Sequence, residues 1–146
     1  MLLSALIFLP IASALLVLVL GETQQRARQI ALTAAIAELA LALVAFVGYD
    51  TGSGGYQFTE RFDWISAFNI QYLLAMDGLS APMVLLNGIL GLAAVLVSWN
   101  VKDRPNQYYM WLLLLQGAVM GVFVSLDLVL FFVFWELELV PMFFLI

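Results

Sequence analysis

The chain of 146 residues contains no cysteine and no histidine. Their absence excludes disulfides, thiolate clusters, histidine-ligated metal or haem, and imidazole acid-base chemistry together. Any proton chemistry must therefore use carboxylates, amines or water. Charge is nearly as scarce, since 10% of residues are charged, five are basic, and the net charge is −5. So few and scattered basic residues leave no electrostatic footprint for nucleic acid. What is abundant is apolar: 65% of residues are hydrophobic, more than a soluble domain hides from water. An integral membrane protein is the expected class.

Long apolar runs divide the chain into five expected spans, at about 2–20, 30–48, 78–99, 109–126 and 128–146. A helix rises about 1.5 Å per residue, so each run nearly matches a hydrocarbon core about 30 Å thick. Ala12-Ser13-Ala14 resembles a signal-peptide cleavage site, but no Lys or Arg precedes the first run, which favours a retained span. The expected fold is all-α and polytopic, one transmembrane domain without a soluble one. Arg26 and Arg28 lie in the first connection, and Lys102 and Arg104 in the third. Basic connections face the cytoplasm, which puts the N-terminus on the non-cytoplasmic side.

The second connection, 49–77, is the one substantial loop. It holds Asp50, Glu60, Asp63 and Asp77 against Arg61, so it belongs on the outer side with the turn at Asp127. A Gly52-Ser53-Gly54-Gly55 tip precedes aromatic residues Phe58, Phe62, Trp64, Phe68 and Tyr72, a composition that suits an interfacial cover segment with a flexible tip. The last residues, Phe143-Phe144-Leu145-Ile146, follow an apolar stretch without a polar flank, which suggests a fragment of a longer polytopic protein. No solenoid repeat is present.

Several polar or small residues inside the spans have a structural reading. Asp77 begins the third span and is expected to cap it. Gly117 and Gly121, a Gly-x-x-x-Gly pair, and Gly88 with Gly91 offer small faces for close helix packing. Asn87 and Gln116 suit hydrogen bonds between helices, the default reading, or the lining of a hydrated passage. Glu38 lies well inside the second span, as a relay member or as a hydrogen-bonded structural carboxyl.

The costliest charges are in the fifth span, Trp135-Glu136-Leu137-Glu138-Leu139-Val140-Pro141. Glu136 stands nine residues beyond Asp127, about 13 Å along the helix and near the bilayer midplane. Glu138 is little deeper, but two residues on a helix differ by about 200° in direction. The two are therefore not a facing carboxylate pair. Pro141 has no N–H and leaves the Leu137 carbonyl without its helical partner, which favours bending or hydration beside both carboxylates. A mid-membrane carboxyl whose charge follows its surroundings suits a proton relay.

The run Phe134-Trp135-Glu136-Leu137-Glu138-Leu139-Val140-Pro141, together with Tyr72-Leu73-Leu74-Ala75-Met76-Asp77-Gly78-Leu79-Ser80, resembles the antiporter-like subunit M, or chain 4, of respiratory and photosynthetic complex I. The resemblance covers essentially the whole chain. It implies the N-terminal part of a subunit with about fourteen transmembrane helices, in which a fifth-helix glutamate, matched here by Glu136, pairs with a lysine on the seventh helix to move protons. It also implies membrane-arm subunits and the lipid bilayer as partners. No cofactor is expected on this chain, while the whole complex uses a quinone and NAD(P)H or ferredoxin. Glu138 makes the motif more like the cyanobacterial and plastid form, favouring plastoquinone and a thylakoid membrane; a bacterial plasma membrane is the alternative. The chain ends before a lysine-bearing helix. Two other readings stand beside a proton-pumping subunit: a subunit of a multisubunit cation/proton antiporter, and a membrane scaffold with structural carboxylates.

Overall fold

The computed structural model describes residues Met1–Ile146. Five helices carry the architecture: α1 (Leu2–Leu20), α2 (Gln24–Gly48), α3 (Ser80–Val97), α4 (Pro105–Val124) and α5 (Leu128–Leu145). Each is long and apolar enough to cross a membrane. The protein is an integral membrane protein. α2 begins at Gln24 rather than near Ile30, because Thr23 accepts a hydrogen bond from the Arg26 amide at 3.2 Å and starts the helix within a polar stretch. α4 begins at Pro105 rather than near Tyr109, with the proline in the first turn, where its missing N–H costs nothing. α5 continues through Pro141 to Leu145 without a break.

The 49–77 connection is more structured than a cover segment with a flexible tip. It folds into an antiparallel hairpin of β1 (Gln57–Ile65) and β2 (Ile70–Met76). Phe58, Phe62 and Trp64 recur with a period close to two, and Asn69 supplies the left-handed residue before β2, at φ 55°. The glycine-rich tip closes on itself: Gln57 binds the Asp50 amide and carbonyl at 2.8 and 2.7 Å, and the Tyr49 hydroxyl donates to the Gly55 carbonyl at 2.9 Å.

The hairpin is fastened to the helices at both ends of the chain. The buried Glu60 carboxylate accepts from the Leu3 amide at 2.9 Å, from the Ser4 amide and hydroxyl, and from the Met1 amine at 2.7 Å. It thus caps α1 from a distant part of the chain. On the other edge the Leu126 amide donates to the Leu73 carbonyl at 3.0 Å, and Asp127 Oδ2 accepts from the Gln71 amide at 3.0 Å. Asp127 Oδ1 simultaneously caps α5 through the Val129 and Leu130 amides.

Successive helices run antiparallel and meet where side chains are small. A Cβ on Gly117 would lie 2.8 Å from the Ile7 carbonyl oxygen of α1. One on Gly121 would lie 2.5 Å from the Phe134 ring of α5. The Gly-x-x-x-Gly pair therefore serves two neighbours, α1 through one glycine and α5 through the other. Gly88 meets Leu39 and Ala42 of α2 in the same way. Asp77 Oδ1 accepts from the Leu79 and Ser80 amides and starts α3.

The buried apolar residues form two clusters. One, on the hairpin side, includes Leu6, Ile7, Ala42, Val84 and Met120. The other, toward the Arg28 and Lys102 connections, includes Val17, Ala31, Val95, Tyr109 and Leu113. α1 to α4 contribute to both.

Candidate proton-transfer site

α5 presents its two carboxylates differently. Leu130, Phe134 and Pro141 are its buried residues, and they follow the side that meets α4. Phe134 packs over Gly121, and Phe144 stacks on Trp111 of α4 with ring centres 4.4 Å apart. Glu136 falls between these contacts and is exposed, next to Trp135, which is also exposed. Glu138 is half-buried. The 200° separation expected from helix geometry thus appears as two distinct surroundings.

Glu38 is elsewhere. It lies in α2, which packs on α1, α3 and α4, whereas α5 packs on α4 and β2. Glu38 is 0% exposed, and neither carboxylate oxygen has a partner. The structure does not bring Glu38 together with the α5 pair. Asn87 donates to the Gln116 backbone carbonyl at 3.2 Å, joining α3 to α4. The Gln116 side chain is buried and also unpartnered.

No basic side chain lies within α1, α3, α4 or α5. Arg28, near the start of α2, is turned to the connection instead, donating to the Trp99 carbonyl at 3.0 Å and lying 4.7 Å from the Trp99 ring centre. Glu136 therefore has no cationic partner within its own helix or the helix it packs against.

Outside the spans, hydrogen bonds favour the charged form of Asp77, Asp127 and Glu60. Hydrogen bonds from the Ser80 amide and hydroxyl lower the pKa of Asp77. The Gln71 amide does the same for Asp127. Burial pushes Glu60 up, but hydrogen bonds from the amino terminus and Ser4 outweigh it and leave the group below the usual carboxylate range. Sequence reasoning assigned Glu60 only to the sidedness of its loop and missed its role as a cap. The signal was faint: one carboxylate placed among aromatic residues of a strand.

No protein-family model matches the chain. It is 38% identical over 146 residues to NAD(P)H-quinone oxidoreductase chain 4 1 of Nostoc sp., a match covering 99% of this chain and 27% of that protein. Subunit M of the F(420)H(2) dehydrogenase of Methanosarcina mazei is 38% identical over 147 residues, covering 94% of this chain and 30% of that protein. In respiratory complex I from Thermus thermophilus with bound NADH, one chain superposes with a TM-score of 0.81 at 26% identity, over 97% of this chain and 27% of that one. The chain thus spans less than a third of the length of these relatives. Sequence likeness and fold agree along nearly the whole chain, which is similar to a stretch amounting to 27% of the Nostoc chain 4 protein.

Proposed function

We propose that the chain is part of a proton-translocating membrane-arm subunit of a NAD(P)H- or ferredoxin-quinone oxidoreductase, working beside other membrane-arm subunits, and that Glu136 is its proton-transfer carboxyl. The supporting observation is the placement of Glu136: near the middle of an apolar helix, on a face that α1 to α4 leave open, with no cation beside it on α4 or α5. A carboxyl in lipid-depth surroundings is neutral when isolated and charged when a cation approaches. Such a group takes up a proton as a basic partner withdraws and releases it as the partner returns. The lysine that the family resemblance assigns to a seventh helix would supply that partner. By the family resemblance, the electrons would pass through other subunits of the complex.

In the complete subunit within its complex, Glu136→Gln is expected to lower proton transfer coupled to quinone reduction by about 100-fold or more while the complex still assembles. Unchanged coupling in an assembled variant would remove Glu136 from the path and favour the scaffold reading. The hairpin belongs on the non-cytoplasmic side, the lumen if the membrane is thylakoid, as the cyanobacterial relatives favour. A cysteine placed at the exposed Ser53 should react with an impermeant reagent presented from that side. Protection there, with labelling from the opposite side, would invert the topology.

A further inference from the structure

The two apolar clusters are separated along α1 to α4 by a layer of different composition. Pro10 lies between Ile7 and Ala14 of α1, Glu38 between Ala35 and Ala42 of α2, Gly88 between Val84 and Val95 of α3, and Gln116 with Gly117 between Leu113 and Met120 of α4. The contacts put these positions at one depth. Gly117 meets Pro10 and Ile11, Gly91 meets the Gln116 side chain, and Gly88 meets Leu39 and Ala42. The ends of α2 and α3 show that they run antiparallel: Gln24 binds the Val101 carbonyl at one end, and Tyr49 lies against Gly78 at the other. One turn back along α2 from Ala42 is Glu38, and one turn on along α3 from Gly88 is Leu92, adjacent to Gly91. Glu38 is therefore level with Gln116, on helices that pack against each other.

Both side chains are buried, and all four of their terminal polar atoms lack a partner. They do not bond each other directly. Buried polar groups in folded proteins are almost always satisfied, and leaving them bare costs kilocalories each. The ionisable groups facing Glu38 supply no counter-charge. α1 and α3 carry none, and α4 carries only Tyr108 and Tyr109, which bond to the Ser98 side chain and carbonyl at its far end. On α2 itself Arg28 is ten residues away, about 15 Å along the helix. A bare charge in that setting is prohibitive. A neutral carboxyl offers one donor and acceptors, an amide offers both, and a small neutral molecule that donates and accepts would join them. Gln116 also lines, with Asn87 and Gly91, a cleft of about 180 Å³ between α3 and α4 that Glu38 does not line, a route by which water can reach the amide.

We propose that Glu38 and Gln116 form a mid-membrane hydration site whose ligand is water and in which Glu38 holds a proton, independent of the exposed Glu136. The assignment does not rest on the function proposed for Glu136.

The test is infrared spectroscopy of the assembled complex at neutral pH, with Glu38→Gln, Glu38→Asp, Gln116→Leu and Glu136→Gln in the complete subunit. Glu38→Gln should remove one protonated-carboxyl carbonyl band, Glu38→Asp and Gln116→Leu should shift it, and Glu136→Gln should leave it in place. A water O–H band sensitive to oxygen-18 water should disappear in both Glu38→Gln and Gln116→Leu. If Glu38→Gln prevents assembly, the Glu38→Asp shift alone decides whether Glu38 is protonated. A carboxylate signal in place of the carbonyl band, or a band unmoved by Glu38→Asp, overturns the protonated state. The absence of the isotope-sensitive water band, or a dependence on sodium ions, overturns water as the ligand.

Discussion

α2 and α5 are apolar helices with carboxylates near mid-length, Glu38 in one and Glu136 and Glu138 in the other, and Glu38 and Glu136 stand in opposite settings. The buried side of α2 is a stripe of alanines, Ala27, Ala31, Ala34, Ala35, Ala42 and Ala45, with Glu38 set into it. Small side chains let α1, α3 and α4 close around the helix, so the carboxyl is sealed. α5 instead approaches the bundle through Leu130, Phe134 and Pro141 and points much of its aromatic surface outward, Phe132, Trp135 and Phe143 among it. Glu136 stands on that open side. The lesson is that the size of neighbouring side chains, not apolarity, decides whether an intramembrane carboxyl becomes internal to its own bundle or available to another element.

The largest expected effect lies in the α5 pair. Glu136→Gln should impair coupled proton transfer in the complete complex by at least about tenfold more than Glu138→Gln, given the 10²- to 10⁴-fold range of general acid-base contributions. Equal losses measured in inverted vesicles would mean that exposure does not separate the two carboxyls, and the contrast between open and sealed faces would lose its functional meaning.

A second effect sharpens the packing side of the contrast. Gly121→Ala would put a methyl 2.5 Å from the Phe134 ring, and overpacking of that kind costs about 1–3 kcal/mol. Gly88→Ala meets the Ala42 methyl at 3.2 Å and Leu39 at 3.4 Å, distances that small movements relieve. The first substitution should therefore lower the thermal stability of the purified complex more than the second. The reverse order would show that α5 is held more loosely than its contacts indicate.

The smallest effect concerns the hairpin that both regions share. Glu60 has a folded-state pKa below its ordinary value of 4.5. Its contribution is therefore complete above that ordinary value and is lost as pH falls through the folded value. Hydrogen exchange at the Leu3 and Ser4 amides, which donate to Glu60, should accelerate on acidification, after correction for intrinsic rates, and Glu60→Gln should weaken that pH dependence. Exchange with the same pH dependence in both proteins would mean that the charge of Glu60 does not hold the helix end.

The five spans were legible because an unbroken apolar run long enough to cross a bilayer is too costly to leave in water and too long for most soluble cores. Their starts were less so: Gln24, Gln25 and Arg26 are helical because of a cap at Thr23, and a polar first turn hides from an apolar pattern. The strands of 57–76 were obscured for a related reason. Aromatic residues near a membrane satisfy an interfacial reading as readily as a strand. The placement of Glu136 and Glu138 on different sides of α5 followed from helical geometry alone. The level shared by Glu38 and Gln116 did not, because it depends on how three glycines seat their neighbours, and residues 78 positions apart carry no mutual signature.

The cap that Glu60 places on α1 has a consequence for the order in which the molecule is made. Leu3 and Ser4 leave the ribosome long before Glu60, so the first turn of α1 enters the membrane boundary with its amides still hydrated. It reaches its final state only after α2 has crossed and the hairpin has been delivered to the same side. Asp127 repeats the arrangement later, closing on Gln71 once α4 has returned. Both helix ends can be closed only when their helices and the hairpin share a side: with the wrong sidedness the end would find no carboxylate and would stay open to water.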